Sequence, residues 1–276
     1  MSITAQDVNK LRKMTGAGMM DCKKALTEAG GDFEKAVELL RKKGQKVSAS
    51  RADRDTKEGA VFVKTSEDAS EAILIALNCE TDFVGKNEEF LALGDSILNV
   101  AFDKKPTDTE ALLNEPMGPL SVGEKITEFV GKIGEKLEIS SYERMSGEMV
   151  VPYIHAGNKL GVLVALAGGN SNEVESAGKD VGMQIAAMNP VAVDKDDVDS
   201  TIIEKELEIG REQAKAEGKP DNIIDKIAEG KLNKFFKENT LLNQAFVKDN
   251  SLTVSKYLDS VEKGLTVTGF KRISIG

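Results

Sequence analysis

The chain has 276 residues, 40% hydrophobic and 30% charged, which is the composition of folded protein with room for one sizeable core or for two to four small units. Its formal net charge of -9 argues against an extended nucleic-acid footprint and against a polybasic membrane surface, both of which need clustered Lys and Arg. A single histidine, His155, rules out HExxH and any two-histidine metal site, and Cys22 and Cys79 lie too far apart for a metal or redox spacing.

Neither a G-x-S-x-G elbow nor a GxxxxGK[ST] loop is present. The longest apolar run, LGVLVALAGG, is far short of a membrane span, and MSITAQDVNK has no signal or transit pattern. A reducing, cytoplasmic setting is expected. No metal and no cofactor are expected.

In chain order, residues 4–43 read as three short helices. Thr4 with Asp7 has the capping-box pattern, and Val8, Leu11 and Met14 follow at helical spacing. MMDCKKALTEAGG is a second helix, closed by glycines that tolerate a left-handed terminus. Asp32 caps a third, FEKAVELLRKK, which Gly44 should end. Of Met19 and Met20, one is expected in the bundle core and the other at the helix start, exposed. Residues 45–58, polar and without apolar period, read as a linker, with a partly helical course as the alternative.

AVFVK and EAILIALN flank TSEDAS as a hairpin, and a helix follows Phe83 to about Phe102. A loop with three prolines surrounds a short helical stretch. SVGEKITEFVGKIG then reads as a helix and EKLEISSYERM as a strand. The order strand, turn, longer apolar strand, loop, helix recurs at 149–188. This predicts an α+β fold with a duplicated ββα unit, divided into subdomains at 59–145 and 146–193. Residues 194–237, with a narrow apolar stripe (Val198, Ile202, Leu207) among many charges, read as a helical hairpin with a coiled-coil-like seam. Residues 238–276 should return to the core, ending in the strand TVTGFKRISI.

Gly16 and Gly18 precede a helix, but no strand precedes them, so an ordinary interhelix turn is the simpler reading. GGNSNE at 168–173 lacks a lysine to pair an anion. His155, at the turn of the second hairpin, has no visible catalytic partner. In NCETDFVGKNEEF, residues 78–90, a thiol beside carboxylates is held protonated, the wrong direction for a nucleophile. Two acids without a third ligand hold Mg2+ poorly. Phe83 is either a core plug or an exposed anchor for another protein.

LRKMTGAGMMDCKKALTEAGGDFEKAVELLRKKG resembles the N-terminal module of bacterial elongation factor Ts almost word for word. NCETDFVGKNEEF resembles the strand-to-helix motif of that family, with its TDFV core. HAGNKLGVLVAL, EGKPDNIIDKIAEGKLNKFF and NQAFVKDNSLTVSKYL match further regions in order, so the resemblance spans nearly the whole chain. It implies a nucleotide exchange factor, not an enzyme, whose partner is elongation factor Tu in its GDP-bound and nucleotide-free forms. It implies a ubiquitin-associated-like module at 1–44, two core subdomains and a coiled-coil arm.

The same resemblance assigns the Mg2+-dislodging segment to Thr81, Asp82, Phe83 and Val84. It places Arg12, Met19, Met20, Lys23 and His155 against the partner. No nucleic acid and no membrane are implied, and a homodimer or a 2:2 complex stays open. Some family members continue past TGFKRISIG into a helical tail, and contacts of such a tail are not carried over.

Overall fold

The structure, a computed structural model, describes residues 3–276. The chain divides into two compact units, one formed by residues up to 64 with 73–143 and 274–276, the other by 65–72 with 144–273.

The first unit opens with three helices, α1 (Ala5–Thr15), α2 (Met19–Glu28) and α3 (Phe33–Ser50). Thr4 and Asp7 make the expected reciprocal capping box, and Gly16 closes α1 at φ 67°. Leu11, Cys22, Leu26 and Ala36 are fully buried between the helices.

The expected stop at Gly44 is overturned, because α3 continues to Ser50. Gly44 is buried where α3 crosses a later helix, α7. A Cβ on Gly131 of α7 would lie 2.6 Å from the Cα of Gly44, and a Cβ on Gly44 would lie 3.0 Å from the Thr127 carbonyl oxygen. The two glycines are a notch that lets backbones meet. Glycine costs a helix roughly 1 kcal/mol relative to alanine, and the close approach offsets it. Residues 45–50, the first part of the expected linker, are helical, the partly helical alternative for that segment.

β1 (Glu58–Thr65) and β2 (Glu71–Cys79) form the predicted hairpin. Every residue of β2 is buried, as befits a central strand. The chain then makes a one-turn helix, α4 (Asp82–Gly85), before the long α5 (Glu88–Lys104). The single helix expected after Phe83 is thus two, separated because Asn87 begins a new N-cap through Glu89 and Phe90 N–H. α6 (Thr109–Asn114), the short pair β3 (Pro116–Met117) and β4 (Leu120–Ser121), α7 (Val122–Ile133) and β5 (Leu137–Ser146) complete the unit. The sheet order is β1-β2-β5. Phe90, Ile97, Val122 and Val130 pack on Ile73, Ile75 and Leu77 to make its core.

The second unit has a separate sheet, order β10-β7-β6, from β6 (Met149–Ile154), β7 (Leu160–Ala167) and β10 (Thr266–Ser274). α8 (Asn172–Met188) lies on it through glycines, since a Cβ on Gly178 or Gly182 would come 2.6 Å from Val151 or Tyr153.

α9 (Ser200–Ala216) and α10 (Asp221–Asn239) form the predicted hairpin. Its seam differs from the expected stripe. Ile202 and Leu207 are only half-buried, and Val198 lies before the helix. The tight part is Gly210, Ala214, Ile224 and Ala228. The pair β8 (Ala245–Phe246) and β9 (Asp249–Thr253) and helix α11 (Val254–Val261) fill out the C-terminal segment. The fully buried Gln184 ties α8 to it, donating to Gln244 Oε1 (3.0 Å) and accepting from Val247 N–H (2.8 Å). Among the described residues no helix is long and apolar enough to cross a membrane.

Candidate functional site

The central strand β2 ends at Cys79, and the next residues are pinned one after another. The Cys79 thiol donates to the Thr81 carbonyl (3.1 Å). Glu80 accepts two bonds from Arg51 Nη1 (2.8 and 2.9 Å) and one from the Lys136 N–H (2.6 Å). Thr81 donates its N–H (3.0 Å) and its hydroxyl (2.7 Å) to the carboxylate of Glu135. Thr81 also caps α4 by accepting the Val84 N–H at 3.4 Å. Val84 is buried, and a Cβ on Gly85 would meet the backbone of Gly59 at 3.2 Å. Asp82 is half-exposed and pairs with Lys86 at 2.7 Å.

Out of this frame stands Phe83, 85% exposed, the most exposed of the large hydrophobic side chains described. Of its two open readings, core plug and anchor, the first is excluded. An aromatic ring left in water on a hydrogen-bonded turn forgoes roughly 1.5–3 kcal/mol of burial.

The frame is legible in its titration. Burial pushes Glu80 up, but the Lys136 amide and the Arg51 guanidinium outweigh it and hold the carboxyl below the ordinary glutamate range. A carboxyl depressed on folding stabilises the native state above its unfolded pKa, and that contribution is lost as pH falls through the lower folded value. Glu80→Gln should therefore lower the thermal midpoint at pH 7, and the gap to the parent should close as pH drops below about 4.3. A gap independent of pH would show that the charge plays no part.

Arg12, Met19, Met20 and Lys23 are all exposed on α1 and α2. The expectation that one methionine fills the bundle core is wrong: Met19 is 52% and Met20 74% exposed, with Met14 beside them in sequence at 60%. Both precede the buried face of α2, which is built by Cys22, Ala25 and Leu26. Exposed methionines suit adaptable protein contacts. His155 is exposed at the end of β6, in the second unit, with its Nδ1 3.0 Å from the Tyr153 hydroxyl.

Arg51 and Glu135 carry no signal in the sequence, and Glu80 enters there only as one of two acids that hold Mg2+ poorly. Glu80 sits inside the quoted motif, but its partners are distant in the chain, and only the fold brings them together.

Burial, with Glu135 and Glu58 adding to it, pushes the Cys79 thiol up to about 12, so it is protonated and inert at neutral pH. Among the described residues neither Cys79 nor His155 meets the partner that a nucleophile–base pair requires. What the chain offers is a rigid turn carrying an apolar probe, together with a methionine-rich helical face. Exposed apolar side chains of this kind suit contacts with another protein.

The comparisons with known proteins give the family. A family model described as elongation factor TS matches residues 80–276. Elongation factor Ts of Amoebophilus asiaticus (strain 5a2) is 58% identical over 276 residues, 100% of both chains. That of Cytophaga hutchinsonii is 58% identical over 275 residues, 99% of both chains, and that of Porphyromonas gingivalis (strain W83 among others) is 51% identical over 276 residues, covering 100% of this chain and 99% of its own. The chain belongs to the elongation factor Ts family, known as the nucleotide exchange factor for elongation factor Tu.

Proposed function

We propose that this chain binds elongation factor Tu in its GDP-bound and nucleotide-free forms, and that its Thr81–Val84 turn drives GDP release by disturbing the Mg2+ site of the partner. The observation that carries the reading is Phe83, a bare aromatic ring on an otherwise pinned turn. Phe83 is the wedge. Thr81 and Val84 anchor the turn to this chain, and Asp82, held by Lys86, orients the approach. Arg12, Met19, Met20 and Lys23 dock on the GTPase domain, and His155 makes a contact from the second unit.

Mg2+ demands near-ideal octahedral geometry, so a small displacement of its ligands weakens it sharply. With the metal lost, the diphosphate is poorly neutralised and GDP leaves. Linkage makes the effect reciprocal: GDP weakens the factor by the same ratio that the factor weakens GDP.

The test is to load elongation factor Tu with fluorescent GDP, add this protein with excess unlabelled GDP, and follow the signal. Release accelerated by orders of magnitude is expected. Binding without acceleration would make the chain a docking protein and overturn the reading.

A further inference from the structure

We propose that Glu135 is a positioning residue for exchange, acting on the partner only through Phe83; the inference rests on the exchange reading above. Glu135 follows Gly134, the left-handed residue (φ 80°) that ends α7. Both of its carboxylate oxygens are spent on one residue, Oε2 accepting the Thr81 N–H (3.0 Å) and Oε1 the Thr81 hydroxyl (2.7 Å). With its proton committed to Glu135, the Thr81 hydroxyl presents a lone pair to the Val84 N–H (3.4 Å), so the carboxylate also orients the cap of α4.

The brace is reciprocal. Glu135 reaches from its loop to the backbone of residue 81, while Glu80 reaches back to the backbone N–H of Lys136 (2.6 Å). Two backbone segments are thereby stapled in opposite directions, and the exposed ring begins two residues beyond the staple. Inserting a side chain from a loose loop costs ordering entropy at the moment of binding, and a pre-ordered turn avoids that cost. Glu135 itself need not meet the partner for this to operate.

Stimulated GDP release should be measured for the parent, Phe83→Ala, Glu135→Ala and the double variant, each with its thermal midpoint. Glu135→Ala should slow release about 10-fold, the scale of a charge-assisted hydrogen bond. In the Phe83→Ala background the same change should cost less than about 2-fold, because its effect passes through the ring. Glu135→Gln can still accept the Thr81 N–H and donate to its hydroxyl oxygen, so it should stay within about 3-fold of the parent.

Equal slowing by Glu135→Ala in both backgrounds would mark a general structural role and overturn the inference, as would parent-like release by Glu135→Ala. If Glu135→Ala does not fold, Glu135→Gln decides: slowing as large as that of Phe83→Ala overturns the positioning role. Should Phe83→Ala alone release GDP as fast as the parent, the exchange reading itself fails and the inference falls with it.

Discussion

Phe83→Ala is expected to slow stimulated GDP release about 30-fold and to leave the fold untouched. The two halves of that expectation come from the same number. At 85% exposure the ring contributes almost nothing to the native core, so the thermal midpoint should move within the roughly 0.5 kcal/mol typical of surface substitutions. Inside a partner the same ring would bury nearly all its surface, and truncating a central aromatic anchor costs about 2 kcal/mol or more, which is ~30-fold in rate. Phe83→Leu keeps apolar volume without the flat edge and should fall between. The decisive readings are release kinetics and calorimetry on the same samples. A stability loss comparable to the rate loss would mean that the ring serves this chain's own fold.

Gly131→Val should be the most damaging of the substitutions considered for stability, though glycine in a helix is usually a defect. The new Cβ would be placed 2.6 Å from the Cα of Gly44, against backbone that has no side chain to swing aside. Overpacking of this kind costs about 1–3 kcal/mol, and the few tenths by which valine exceeds glycine in helix propensity do not offset it. A loss of about 3 kcal/mol would lower the midpoint by roughly 6–12 °C in a chain of this size. Gly230 provides the contrast. It is helical, exposed, and has open space where a Cβ would go, so Gly230→Ala should gain about 0.5–1 kcal/mol from helix propensity. Equal effects of the two substitutions would refute the notch at the α3–α7 crossing.

These cases separate what was legible in the sequence from what was not. Local signals were legible: the Thr4–Asp7 box, the β1–β2 hairpin and the glycine-closed α2 depend on neighbours within a few residues. Gly44 was misread because a glycine in a helical pattern looks the same whether it ends the helix or admits another backbone. Which it does depends on Gly131, far along the chain. Met19 and Met20 were misread because periodicity gives a face but not where along the helix packing stops. The Phe83 choice between plug and anchor stayed open for a related reason. Its neighbours in the motif, Val84 and Phe90, are both apolar and both buried in the core, so apolar character alone does not tell the three apart. Glu135 left no local trace, since its partner Thr81 lies 54 residues away.

The seam between α9 and α10 has a consequence for how the molecule opens. Helices of 17 and 19 residues are joined there over Gly210, Ala214, Ile224 and Ala228, so only one large aliphatic side chain is fully committed to the contact. Little apolar surface would be returned to water if the pair came apart, and such segments unfold on their own at a fraction of the global free energy. Amide protons of the hairpin should therefore exchange with deuterium well before those of β2, whose every residue is buried. On that expectation the hairpin melts separately, fraying and reforming while the two three-stranded sheets keep their registers.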